Sequence, residues 1–494
     1  MKKRLDLMES EMKRKKTITE NLIIYALKTF VLSVSPFVIF PYVSRILGAD
    51  GVGEVQYAFS IASYFQLLAG LGISSYGIRE GAGIKDDREK LGSFSSELLL
   101  INLVSSTCSL LLYFFVIGIY GGLEQYRPYL YLFGFYVFCA GFTLDWFASI
   151  KEDFLYVTIT TCVFQAVVLL MAFFFIREKS DTIIYGAVLC LPHIFASIAN
   201  ALYIHKSVPL KKKGLHLKKH IGSILFLFAI IVSANVYSLL DTTMLGIMKS
   251  DEAVGLYTAA SKYTRLVVQL VLSLCTVFLP RFVFYLSTRQ IERFEKLFVK
   301  SFQVIMWMVT PFCIGMFVLS PELILIFSGE GFLESISTMR ILSVNIIFSA
   351  IDGFLGWQIL VPLKKEKLLM LATFTGAILD IVLNILWIPI YSINGAAFAT
   401  LCSELSVFII CFFSCRRHVP LVKVMRTWWK YICAALPIFA IRYMIRLLGI
   451  TNIFVIVFLE VVLSAITYTG ILCVLKEPMT LETGNKFIDT LLRR

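Results

Sequence analysis

The feature that most restricts this chain is a run of about twenty residues almost free of charge, repeated from one end to the other. Such runs fall at 21–47, 55–78, 94–119, 126–150, 154–176, 182–204, 222–247, 254–279, 298–319, 338–361, 368–388, 394–415, 428–449 and 452–475. A bilayer core about 30 Å thick needs about twenty helical residues to cross it. Backbone polar groups in lipid must be paired internally, and a helix does this within one segment. Barrel strands would be about ten residues long and would alternate in polarity, which these runs do not. The expected fold is therefore an all-α polytopic membrane protein with fourteen transmembrane helices. Only 16% of residues are charged and the mean hydropathy is +0.81, whereas a soluble chain carries about 25% charged residues. Thr17-x-x-Glu20 reads as a capping box opening the first helix. The thirteenth run is the weakest, because Arg442 and Arg446 interrupt it.

The formal net charge is +13, which by itself would also suit a nucleic-acid binder. Its distribution argues otherwise. With the N-terminus inside, most of the 46 Lys and Arg fall in the cytoplasmic segments, spread over short loops. The other side holds Arg45, Arg127, Arg177, Lys179, Lys249, Arg340, Arg442 and Arg446. That asymmetry places both termini in the cytoplasm, and no nucleic-acid partner is expected. All eleven cysteines lie in apolar runs, none in a C-x-x-C pair, so packing explains them better than a disulfide framework or a zinc site. The first apolar run is too long for a signal peptide and shows no small-residue cleavage site.

The chain restarts near its middle. Residues 45–64 read RILGADGVGEVQYAFSIASY, and 235–265 read NVYSLLDTTMLGIMKSDEAVGLYTAASKYTR. Both place a Leu-Gly at the end of one run (Leu47-Gly48, Leu245-Gly246) and a Val-Gly at the start of the next (Val52-Gly53, Val254-Gly255). Trp146 answers Trp357, and Gly186-Ala187 answers Gly395-Ala396. Six runs per half put equivalent helices in the same orientation, as parallel repeats about an axis along the membrane normal. The division expected is a basic N-terminus (1–20), a first six-helix lobe (21–205), a cytoplasmic linker (206–221) and a second lobe (222–415). A trailing helix pair (428–475) and a cytoplasmic tail (476–494) follow. The basic linker, HKSVPLKKKGLHLKKH, reads as a topology determinant touching anionic lipid.

Charges inside the runs mark the functional candidates. A Lys or Arg at a helix centre costs about 2.5–3.5 kcal/mol on insertion scales, so Lys28, Lys262 and Arg265 each need a counter-charge, a wet cavity or a ligand. Helical spacing sets Lys262, Arg265, Gln269 and Thr276 on one face. The same spacing joins Asn21, Tyr25, Lys28 and Ser35, then Asn235, Ser238 and Asp241, then Asn345, Ser349, Asp352 and Gly356. The four stripes are expected to line one lumen of mixed charge. Simpler alternatives stay open: Lys28 snorkelling to the interface, an Asp241–Lys262 ion pair, and Asp145, Asp380, Glu404 and Glu460 as interhelical glue. Pro36 and Pro41, beside the Gly48–Gly53 turn, make the first helix a candidate hinge. No phosphate-loop pattern, H-E-x-x-H or G-x-S-x-G occurs, and nothing asks for an enzyme or a cofactor.

Several segments together resemble a known family. They are GLGISSYGIRE (70–80), LDWFASIKEDF (144–154), LLDTTMLGIMKSDEAVGLYTAASKY (239–263), GFLGWQILVPLKKEK (353–367) and LDIVLNILWIPIYSINGAAFATLCSEL (379–405). In order and spacing they resemble the polysaccharide-transporter branch, the Wzx-type O-antigen flippases, of the multidrug/oligosaccharidyl-lipid/polysaccharide exporter superfamily. The resemblance implies two six-helix lobes around a V-shaped cavity opening alternately to each side. It implies a polyprenyl-pyrophosphate-linked oligosaccharide as substrate, flipped outward across a bacterial inner membrane and driven by an ion gradient. Lys28, Lys262, Arg265, Asp241 and Gln269 are then the substrate-binding candidates, and Asp352, Asp145 and Glu404 the ion-coupling ones. A polysaccharide polymerase and glycosyltransferases are candidate partners of a monomer. A peptidoglycan lipid precursor flippase and a multidrug/cation antiporter of the same superfamily stand as alternatives.

Overall fold

The computed structural model describes residues 18–140, 142, 144–210 and 214–480. The expected cap at Thr17 lies outside them. Every regular element among the described residues is helical. Helix α1 (Ile18–Gly70) has 53 residues, about 80 Å at 1.5 Å per residue and so two crossings rather than one. The backbone breaks at Gly48 (φ 71°, ψ −178°), a conformation only glycine enters without steric cost. The dihedral break is thus at the glycine, and the helix runs on through Pro36 and Pro41. Helix α2 (Ile73–Gly81) completes the second crossing, and α3 (Arg88–Ile119) is the third. Asp87 caps α3, accepting from the Lys90 amide at 3.0 Å, and that bond holds its carboxyl below the usual carboxylate range.

Helices α4 (Arg127–Ala140) and α5 (Asp145–Ile150) share the fourth crossing, followed by α6 (Phe154–Phe175) and α7 (Thr182–Ser207). The second half begins with α8 (Lys218–Met248) and α9 (Asp251–Cys275), the latter capped by Ser250 on the Ala253 amide. A short α10 (Leu279–Ser287) precedes α11 (Ile291–Phe327) and α12 (Ser335–Gly353), which runs into a π-helical turn over Phe354–Leu360. Helix α13 (Glu366–Cys415) is again two crossings, broken at Ser392. The chain ends in α14 (Leu421–Met425), α15 (Trp428–Ala435), α16 (Pro437–Leu447) and α17 (Ile453–Val474). The weak thirteenth run is therefore two helices. Its break falls at Pro437, which opens α16 because it has no N–H to continue α15. Nine stretches among the described residues are long and apolar enough to cross a membrane, and two of them include the breaks at Gly48 and Ser392.

Contacts fall into two sets. In the first, α1 packs on α3, α4, α6 and α7, and α4 and α6 both reach α7. In the second, α12 touches α9, α11 and α13, and α13 also lies along α8. The sets meet chiefly where α1 packs on α9. Here the two repeated glycine turns interlock. A Cβ on Gly53 would overlap the Asp251 carbonyl, and one on Gly255 would overlap the Ala49 carbonyl. Tyr126 Oη donates to Asp251 at 2.7 Å, and the Arg45 guanidinium donates to the Ile326 carbonyl at 2.5 Å, so side chains also tie the two sets here. The proposed Trp146–Trp357 equivalence has no counterpart in burial. Trp146 is fully buried beneath Gly77, whereas Trp357 is 46% exposed.

The trailing helices dock on α11. Tyr468 Oη donates to the Trp307 carbonyl (2.9 Å) and Trp428 Nε1 to Thr310 (3.0 Å). Arg442, one of the cations that weakened this segment, forms an ion pair with Glu322 of α11 in which both side chains are nearly buried. Arg442→Ala leaves Glu322 buried and uncompensated and should cost about 3–5 kcal/mol. In detergent it should melt well below the wild type, with much of the loss restored by Arg442→Met/Glu322→Met; equal melting of all three proteins would discard the pair as a structural clamp. At the seam, Gly255→Val should cost about 1–3 kcal/mol through overpacking. Gly118→Ala, with nothing within 4 Å of the added carbon, should melt like the wild type, and an equal loss in both would show that the seam is not the cause.

Candidate functional site

The cationic stripe of α9 faces α1. Lys262, Arg265 and Gln269 line a cavity of about 280 Å³ with Leu32, Pro36, Phe37 and Phe40 of α1. Lys262 Nζ donates to the Tyr185 hydroxyl of α7 at 3.3 Å and sits 4.5 Å from the centre of the Phe40 ring. The Asp241–Lys262 ion pair considered from the sequence is not made. Asp241 lies on α8 and turns into the second set, where it has other partners.

Those partners form a buried polar network. The Asp241 carboxylate is 1% exposed and accepts from Tyr257 Oη, from Thr400 Oγ1 at 2.8 Å and from Asn384 Nδ2 at 2.9 Å. Asn384 Nδ2 also donates to Asp380 at 3.0 Å, bridging two carboxylates, and Ser403 Oγ reaches Asp380 at 3.3 Å. Charged groups this deep persist only where donors replace lost water. The Asn384 carbonyl oxygen is buried and accepts no hydrogen bond. A second cavity of about 240 Å³ adjoins it, lined by Asp241, Tyr257, Arg265, Gln269, Asn345, Ser349 and Glu404 among others. Arg265 and Gln269 thus stand on the wall between a cationic chamber and an acidic one.

Lys28 goes elsewhere. Its Nζ is 2.7 Å from Asp145, whose other oxygen accepts from Asn200 at 2.7 Å. Ser35, one helical stripe on, donates to Gln165 of α6 at 2.8 Å. This face of α1 therefore serves the first set of helices, and Lys28 is not among the residues lining the chamber of Lys262 and Arg265. Lys28 is paired with Asp145 and does not converge with the other two. Glu404 accepts from Ser349 at 2.6 Å, and the Asp352 carboxyl lies beside it. The tenth stripe is divided accordingly: Asn345 and Ser349 face the acidic chamber, while Asp352 turns towards α13.

Tyr185, Tyr257, Asn384 and Thr400 were not singled out in the sequence. Asp380 and Asn384 are four apart on one helix face, and Thr400 and Ser403, three apart, share a face of the next crossing. That pattern was readable. The tyrosines carried no such mark.

An apolar groove of about 470 Å³ runs between α11 and α17 to α1 and α9. Its wall includes Phe37, Tyr263 and Leu266, which also line the cationic chamber, so the two spaces share a boundary. Glu460 of α17 lines the groove, 1% exposed, with neither carboxylate oxygen accepting a hydrogen bond.

Comparison with known proteins agrees with this architecture. Residues 18–285 match the family model described as polysaccharide biosynthesis protein. A probable low-salt glycan biosynthesis flippase of Haloferax volcanii, Agl15, is 26% identical over 164 residues, 33% of this chain. The match spans about a third of that relative's length, 34%. The lipid II flippase MurJ in an inward closed conformation superimposes with a TM-score of 0.67 at 16% identity, covering 92% of this chain and 100% of that one. An inward-facing multidrug resistance transporter of the MATE family gives a TM-score of 0.62 at 14% identity over 82% of this chain and 99% of its own. At these identities the solved structures speak for the fold alone. With a family model matched over more than half its length, the chain belongs to the polysaccharide biosynthesis protein family, on the fold of the multidrug/oligosaccharidyl-lipid/polysaccharide exporter superfamily.

Proposed function

We propose that this protein flips a polyprenyl-pyrophosphate-linked oligosaccharide from the cytoplasmic to the outer leaflet of a bacterial inner membrane, with both termini cytoplasmic. The observation that carries the reading is the shared wall between the cationic chamber and the apolar groove. An amphiphile with an anionic head fits that pair of spaces. The pyrophosphate lies against Lys262 and Arg265, the tail follows Phe37, Tyr263 and Leu266 into the groove, and the polar sugars occupy the wet chamber. A cationic drug would meet like charge at Lys262 and Arg265, which argues against the antiporter reading.

The cycle follows from the two sets of helices. The set α1 to α7 and the set α8 to α13 act as six-helix lobes, parallel repeats that rock about the α1–α9 seam. The Gly53–Gly255 contact is closed when the chamber faces the cytoplasm and parts when it faces outward. Gly48 supplies the hinge in α1, with the Gly53 turn beside it. Coupling is assigned to the Asp241–Asp380 pair with Asn384 and Thr400, one residue removed from the substrate through Arg265. Binding a proton or a small monovalent cation there changes the charge facing Arg265, and therefore its hold on the anion. Asp352 and Glu404, which lie side by side, extend the same network, whereas Asp145 serves Lys28.

Arg265→Ala should reduce export by roughly tenfold or more, equivalent to about 1.4 kcal/mol or greater, while membrane abundance is unchanged. Complementation of a flippase deletion to wild-type level by this variant would refute the assignment. Asp241→Asn keeps the side-chain shape but removes the charge. Reconstituted in vesicles, it should transport at a rate indifferent to an imposed proton or sodium gradient, and a wild-type response to that gradient would rule out this pair as the coupling site.

A further inference from the structure

Lys262 has a fully defined setting. Its Nζ meets the Tyr185 hydroxyl of α7 at 3.3 Å and the Phe40 ring of α1 at 4.5 Å. Tyr185 and Phe40 are 1% and 2% exposed, so neither can swing away freely. The Tyr185 oxygen also accepts from Gln56 Nε2 at 2.8 Å. Gln56 therefore orients the phenol so that its oxygen is presented to the lysine.

These partners do not match what the ammonium can bind. When protonated it offers a full charge and three donors, and it is answered by one long bond to a neutral oxygen and by the face of a ring. A charge-assisted bond to an oxyanion is shorter, about 2.7–2.9 Å, and about twice as strong as a neutral one. The chamber of about 280 Å³ leaves space for such an anion beside the amine.

We propose that Tyr185, oriented by Gln56, is the resting partner of Lys262, and that the anionic head of the substrate takes the lysine from it. The inference rests on the anionic lipid-linked substrate assigned above. Tyr185 is a positioning residue: it gives the lysine a place to wait, and it sets how strongly a head must bind to claim it. A pyrophosphate exceeds that threshold; a neutral sugar or a singly charged lipid head competes poorly. The exchange also removes a tie between α7 and α9 across the seam, so filling the chamber and loosening the two sets become one event.

Equilibrium dialysis of the full chain in detergent against radiolabelled farnesyl pyrophosphate tests this. Tyr185→Phe keeps the ring and removes the acceptor, so the probe no longer has to displace it. Binding should tighten roughly fivefold, the equivalent of one modest hydrogen bond. Gln56→Leu should shift affinity the same way by less, and serves if Tyr185→Phe does not fold. Tightening is the opposite of what packing damage produces. If the wild type binds and Lys262→Gln weakens binding, but neither Tyr185→Phe nor Gln56→Leu tightens it, the role of Tyr185 falls and the anionic substrate stands. If the wild type fails to bind, or Lys262→Gln binds as well as it does, the substrate reading falls and takes this inference with it.

Discussion

Close approach of two backbones at the α1–α9 seam holds the rest of the arrangement in place. In lipid, helices gain little from burying apolar surface against one another, because acyl chains are as apolar as leucine, and association relies on contact at short range. Gly53 and Gly255 provide it: each stands against a carbonyl of the other repeat, with no room for a side chain. The turn at Gly48 brings the first copy of the motif into line with the second. Once that contact is made, Lys262 and Arg265 face Phe37 and Phe40 rather than lipid, and the chamber between the sets exists.

The charges then sort by depth and partner. Arg442 is answered by Glu322, and Lys28 by Asp145, each within or alongside its own group of helices. Asp241 and Asp380 are hydrogen-bonded by amide and hydroxyl donors. Lys262 has a phenol and an aromatic ring. The better a buried charge is satisfied by the protein, the less it can contribute to a passing ligand. By that measure the pair at Arg442 is structural, and the coupling role proposed for the aspartates and the anion-binding role proposed for Lys262 fall on the groups that lack a charged protein partner at bonding distance among the described residues.

Much of the plan was legible in the chain itself. Among the described residues the fourteen apolar runs are mainly helical, and the repeated Val-Gly turns touch. The α9 stripe of Lys262, Arg265 and Gln269 does line one chamber, as a 100° helical period requires. The lumen of four converging stripes was only partly right. Ser35 and Lys28 face α6 and Asp145, and Asp352 faces Glu404. Periodicity says that residues share a face; it does not say which neighbour that face meets. Pro437 shows a related limit, since the arginines drew attention in that run while the proline made the break.

Hydropathy and helix period act over a few residues, so the number of crossings, their polar faces and the asymmetry of Lys and Arg were determined by the sequence alone. Partners are chosen across the fold. Lys28 and Asp145 are 117 positions apart, Asp241 and Asn384 are 143, and Lys262 and Tyr185 are 77. Which of these charges is silenced and which is left for a ligand depends on how the helices are set beside one another. Only the tertiary structure, through the interlocked glycines, decides that.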